Sequence, residues 1–151
     1  MKLHSISIDI DAPPERVWSV MTDFTRWQEW TPTVTRIVAL DRDMTKVGAR
    51  AKILQPKLPP ALWKLTEMAP SGFTWQSWAP GVLVRARHFV EPLGLDRSRA
   101  TLSISYSGPF GWFVAYLTRG INDRYLALEA KGLKARSENP AFRLAPGSAP
   151  D

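Results

Sequence analysis

The chain has 151 residues, 44% of them hydrophobic and 23% charged, which suits one domain with one filled core and excludes a disordered or fibrous chain. The absence of cysteine excludes disulfides, thiolate metal sites and cysteine nucleophiles. Net charge is +6, but lysine and arginine are scattered through segments such as "TRIVALDRDMTK", "VRARHFVE" and "GLKARSE", usually with acids nearby, so no block of like charge marks a nucleic-acid site.

Residues 3–10, "LHSISIDI", alternate strictly and place Ile6, Ile8 and Ile10 on one face, which predicts a strand with one buried side. The same alternation replaces the unbroken apolar core of a signal peptide, and no later run approaches a bilayer span, so a cytoplasmic location without stable membrane insertion is expected. In "DAPPERVW", Asp11 is placed to cap a helix whose first turn holds the prolines and Glu15. Val17, Trp18, Met21 and Phe24 follow at helical spacing, and the pattern passes into a second short segment, "TRWQEWTP", which Pro32 ends.

From residue 35 the period is two. "TRIVALD", "GARAKILQ", "ALWKLTEMA", "GFTWQSWA", "VLVRARHFVE" and "SRATLSISYS" are six strand-like runs, separated by Gly48, "PKLPP", "PSG", "PG" and "PLGLDRS". The short breaks favour antiparallel hairpins over parallel crossovers, so a meander is expected. The period then returns to helical. Residues 110–134 predict one long amphipathic helix with a stripe of Phe113, Leu117, Ile121 and Leu128, supplemented by Val114 and Tyr125. Gly120 within it marks a kink or a close approach. Residues 1–136 are read as the domain and 137–151 as a loose, proline-rich tail. The expected architecture is α+β: a seven-stranded antiparallel curved sheet wrapped around a long C-terminal helix, with two short helices after the first strand.

In this order the segments "APPERVWSVMTDFTRWQEWTP", "HFVEPLGLDRSRATLSISYSG" and "LALEAKGLKARSE" resemble the START-like helix-grip superfamily, also called SRPBCC, and within it the polyketide cyclase/dehydrase-like branch. The resemblance covers residues 3–138. It implies an apolar cavity between sheet and long helix, with Trp18 packed under the sheet and Trp27 and Trp30 where the short helices cap the space. It implies no single function, because the superfamily includes lipid carriers, hormone binders, aromatases and cyclases, chaperone activators and ring-hydroxylase subunits.

Strand alternation selects the side chains that would line such a space. Val84, Ala86, His88 and Val90 oppose Arg85 and Arg87; Ala100, Leu102, Ile104 and Tyr106 oppose Thr101, Ser103 and Ser105; Ala49, Ala51, Ile53 and Gln55 oppose Arg50 and Lys52. Trp63, Leu65 and Glu67 oppose Lys64 and Thr66, and Phe73, Trp75 and Ser77 complete the set. The candidate ligand-binding residues are Gln55, Trp63, Trp75, His88, Tyr106, Trp30, Leu117 and Ile121: apolar area for affinity, a few polar groups for orientation. His88 and Glu67 are the candidate acid/base pair if the cavity carries chemistry; the alternative for His88 is a hydrogen-bonded core residue, and for Glu67 a solvent-reaching strand end. With two histidines and no cysteine, no metal site and no cofactor are expected. The expected function is binding or transport of a hydrophobic or aromatic small molecule by a monomer or homodimer. The alternatives are a polyketide cyclase or dehydratase, and a protein-interaction module with a vestigial cavity.

Overall fold

The computed structural model describes residues 2–147. Strand β1 spans Lys2–Ile10, helix α1 Pro14–Thr22, a 3-10 turn Phe24–Glu29, β2 Arg36–Ala39, β3 Arg50–Leu54, β4 Ala61–Ala69, β5 Gly72–Ala79, β6 Val82–Pro92, β7 Ser98–Ser107 and α2 Gly111–Glu138. The seven strands form one antiparallel sheet in the order β1-β7-β6-β5-β4-β3-β2. Strands β2 to β7 are the expected meander, and β1 closes beside the last of them, with Lys2 opposite Tyr106 and Ile10 opposite Ser98.

Register turns the alternation into rows across the inner face. Leu65, Trp75, Ala86, Ile104 and His4 form one row; Met68, Phe73, His88, Leu102 and Ile6 form the next; Val90, Ala100 and Ile8 lie beyond. Helix α1 and the 3-10 turn seal the sheet toward this last row. Phe24 of the 3-10 turn packs across the first two rows, meeting Phe73 and Trp75 edge-on at 5.1 and 5.2 Å, and Trp27 donates its indole N–H to the Met21 carbonyl at 3.1 Å.

Asp11 does not cap α1. Pro13 occupies the cap position in an extended conformation with no side-chain hydrogen bond, and the prolines set the turn themselves. Asp11 instead accepts from Arg97 Nε at 3.0 Å while its backbone N–H donates to Glu138 at 2.9 Å, tying the end of β1 to the end of α2.

Helix α2 runs four residues past its expected end, and of the expected stripe with its supplements only Tyr125 is fully buried. Ala115, Asn122, Tyr125, Glu129 and Leu133 are buried, whereas Phe113 and Leu117 are exposed and Ile121 and Leu128 only half-buried. In its first two turns α2 leaves Trp112, Phe113, Tyr116 and Leu117 outside; beyond them the exposed positions include Arg119, Asp123, Arg124 and Lys131, while the inward face carries the polar groups that meet the sheet. The segment after α2 is also held rather than loose as far as residue 144: Phe142 packs on the core, and the Leu144 N–H donates to the Glu29 carbonyl at 2.8 Å. The tail beyond residue 147 lies outside the described residues.

Gly120 marks no close approach, since a Cβ at this exposed position, inside the uninterrupted α2, would meet nothing within 4 Å. Gly120→Ala is therefore expected to stabilise the fold by roughly 0.5–1 kcal/mol, the helix-propensity difference, read as a higher midpoint in urea.

Candidate functional site

Two polar constellations join α2 to the inner face of the sheet. At the sealed end His88 Nε2 and Glu129 Oε1 are 2.6 Å apart. The imidazole stacks on Phe73 at 4.7 Å and lies 5.0 Å from Trp27. With Glu129 as a carboxylate, the Nε2–H donates, and Nδ1 is an acceptor when the ring is neutral. That Nδ1 is buried without a partner.

Toward the start of the helix, Tyr106 donates its hydroxyl to Asn122 Oδ1 at 3.0 Å, the Asn122 amide donates to Thr118 Oγ1 at 3.0 Å, and Thr118 donates to the Val114 carbonyl at 2.7 Å. Tyr125 donates to the Pro56 carbonyl, and burial pushes its phenol above the ordinary tyrosine range, against the pull of Arg124. On β1, His4 Nδ1 lies 2.9 Å from Asp123 Oδ1, and its Nε2 is a second buried nitrogen without a partner.

The interface between sheet and helix is graded. Val90, Ala100, Leu102 and Leu133 are sealed at the α1 end, whereas Ile53, Ser77, Val84, Ala86 and Ile104 on the sheet and Ile121 and Leu126 on the helix keep partial solvent access. Ala86 is informative here, because it stands on a central strand and faces the helix, yet nothing covers it fully. Trp63 borders the same region, and its buried indole N–H has no acceptor. In a folded interior most buried polar atoms are paired, so Trp63 Nε1 is a free hydrogen-bonding group beside this partly uncovered apolar surface, and His88 Nδ1 is another at the sealed end. Two depressions of about 500 and 270 Å³ lie elsewhere, one between α1 and the β4–β5 turn with Trp18 and Met68, the other among Arg16, Arg26 and Arg136.

The candidate residues therefore separate into groups. Trp63, Trp75, His88 and Tyr106 are buried on the inner face. Gln55 is half-buried and donates to the Thr33 carbonyl at 3.1 Å. Trp30 is buried against α2, where Gly132 leaves room for its carbonyl. Leu117 is 64% exposed and points away from the sheet. Glu67 is the clear departure. A β-bulge between Leu65 and Glu67 shifts the strand by one residue, so Met68 turns inward and Glu67 turns out to face Arg87 at 3.9 Å, its side chain 61% exposed. The expected His88–Glu67 pair is not formed; Glu129 takes that place. The sequence did carry a signal for it, since Thr118, Asn122, Tyr125 and Glu129 recur at helical spacing. Among the described residues no cluster of histidine, aspartate and glutamate suits a metal ion, and no helix is long and apolar enough to cross a membrane.

The family described as polyketide cyclase/dehydrase and lipid transport matches the chain over residues 3–138. No curated protein matches it in sequence. Solved structures similar to it include the Zhui aromatase/cyclase from Streptomyces sp. R1128, with a TM-score of 0.75 at 12% identity over 97% of this chain and 99% of that one. A START superfamily protein from Mycobacterium smegmatis gives a TM-score of 0.70 at 19% identity over 92% of this chain and 99% of that one. The di-domain aromatase/cyclase BexL of the BE-7585A biosynthetic pathway gives 0.70 at 19% identity over 91% of this chain; the chain spans about half of that protein, 47%. At these identities the structures show a shared helix-grip fold.

Proposed function

Because the chain belongs to the polyketide cyclase/dehydrase and lipid transport family, we propose that it holds a hydrophobic or aromatic small molecule between the sheet and the first half of α2. Family and fold support a hydrophobic-ligand-binding or cyclase-like role. The observation that carries the reading is the half-covered apolar surface around Ala86 with the unpartnered Trp63 indole at its edge. Such a surface supplies about 25 cal/mol per Å² on burial, and the Trp63 N–H supplies an oriented hydrogen bond to a carbonyl or hydroxyl oxygen.

A second reading, cyclisation or dehydration of a polyketide-like substrate, is favoured by one observation. His88 Nε2 faces the Glu129 carboxylate and Nδ1 has no partner; in the neutral Nε2–H tautomer that Nδ1 is a bare base, the arrangement that general-base proton abstraction requires. Turnover of an added poly-β-keto substrate would move the assignment to this reading.

Native mass spectrometry of freshly purified protein, with organic extraction of anything bound, tests the binding reading. One apolar molecule per chain is expected, or uptake of fatty acid at that stoichiometry by the empty protein. Ala86→Phe fills the uncovered surface and is expected to lower fatty-acid affinity by roughly tenfold or more, an effect of at least ~1.4 kcal/mol. Uptake that Ala86→Phe leaves unchanged, or no uptake at all, overturns the proposal; the latter would favour the protein-interaction module.

A further inference from the structure

The first two turns of α2 leave a large apolar face bare. Phe110, Trp112 and Tyr116 are 59%, 70% and 58% exposed, with Phe113 and Leu117 also exposed beside them. Single exposed apolar residues call for no account, but five large ones in so short a stretch form a patch of the kind that marks an interaction surface. The patch stands at one end of the molecule. The Phe110 N–H donates to the Gly81 carbonyl at 3.0 Å and its ring lies against Gly81, so the start of α2 abuts the β5–β6 turn, at the sheet end where the β3–β4 loop also lies.

Charge distinguishes among partners. Residues 68–90 and 97–122 contain no aspartate or glutamate. Arg119 holds its guanidinium 4.8 Å above the Tyr116 ring, Arg124 is exposed one turn further on, and the first acid of the helix, Asp123, is engaged by His4. We propose that this end of the protein docks on an anionic lipid surface. Tryptophan and tyrosine combine an apolar body with a polar edge and favour the headgroup level, while arginine pairs with phosphate through its planar fork. A second copy of the chain would set the same cations against each other, which opposes self-association through this face.

Co-sedimentation with vesicles tests the proposal, comparing phosphatidylcholine alone with a mixture containing phosphatidylglycerol. The protein is expected to sediment with the anionic vesicles, with a blue shift in tryptophan emission, and to be released by added salt. Trp112→Ser combined with Phe113→Ser, both at exposed positions, is expected to weaken vesicle binding by roughly tenfold or more through lost apolar burial, and Arg119→Glu to weaken it while circular dichroism stays unchanged. Ala86→Phe is expected to sediment like the wild type, so failure of the ligand proposal and failure of this one are read separately. Sedimentation that the double variant does not weaken, or a protein that stays in the supernatant, overturns the docking surface. A dimer in sedimentation velocity that the double variant splits would assign the face to a second copy, and binding to a protein partner without vesicle binding would assign it there.

Discussion

Gly132→Ala is expected to destabilise the domain by about 3 kcal/mol or more, at the upper end of overpacking substitutions. A Cβ at this position would fall 1.9 Å from the Trp30 carbonyl oxygen and 3.0 Å from its carbon. The obstacle is backbone, held by the Trp30 N–H bond to the Trp27 carbonyl at 3.1 Å, so no rotamer change removes it. Relief requires α2 to lift from the 3-10 turn, which would uncover Trp30 and Leu133, both buried. Helix propensity alone favours alanine by about 1 kcal/mol, so the steric effect has to exceed that gain before any loss is seen. Gly120→Ala, in the same helix and with open space around it, is the control of opposite sign. Denaturant midpoints for the two variants, measured with the slope of the transition, decide the matter. A Gly132→Ala protein as stable as the Gly120→Ala protein would mean that α2 is not seated against Trp30.

The contrast between these glycines shows where the sequence stops being informative. Both sit in a helical pattern, and nothing local separates them; only the approach of Trp30, about a hundred residues away along the chain, does so. The strands were legible because a sheet with one buried face imposes a period of two, and His88, Trp75 and Tyr106 follow it inward. The alternation failed at Glu67, where a single bulge exchanges the faces of the residues that follow it in β4. It failed differently on α2. Counting apolar residues selects Phe113 and Leu117, but the face that packs is chosen by its partners: Tyr106 needs Asn122, and His88 needs Glu129. First turns that leave their large apolar residues outward depart from the usual pattern, and the departure coincides with the surface assigned to lipid docking.

The His88–Glu129 pair should show the second large effect, and the order of its variants is the test. Both side chains are nearly enclosed, at 8% and 11% exposure, and removing one member of a buried pair typically destabilises by roughly 3–5 kcal/mol. The two single losses should differ. His88→Leu strips the nearly enclosed Glu129 carboxylate of its His88 partner. Glu129→Leu leaves the imidazole Nε2 without its partner, a loss of about 1–3 kcal/mol for an unmet hydrogen bond. His88→Leu is therefore expected to be the more damaging. The double variant should be less destabilised than the sum of the singles, because the second substitution removes the group that the first one stranded. Denaturant unfolding of the four proteins gives the coupling directly. Additive losses would show that the two groups do not stabilise each other, and would remove the geometric basis for His88 as an oriented base; strong coupling would show that the helix carboxylate holds the imidazole in place.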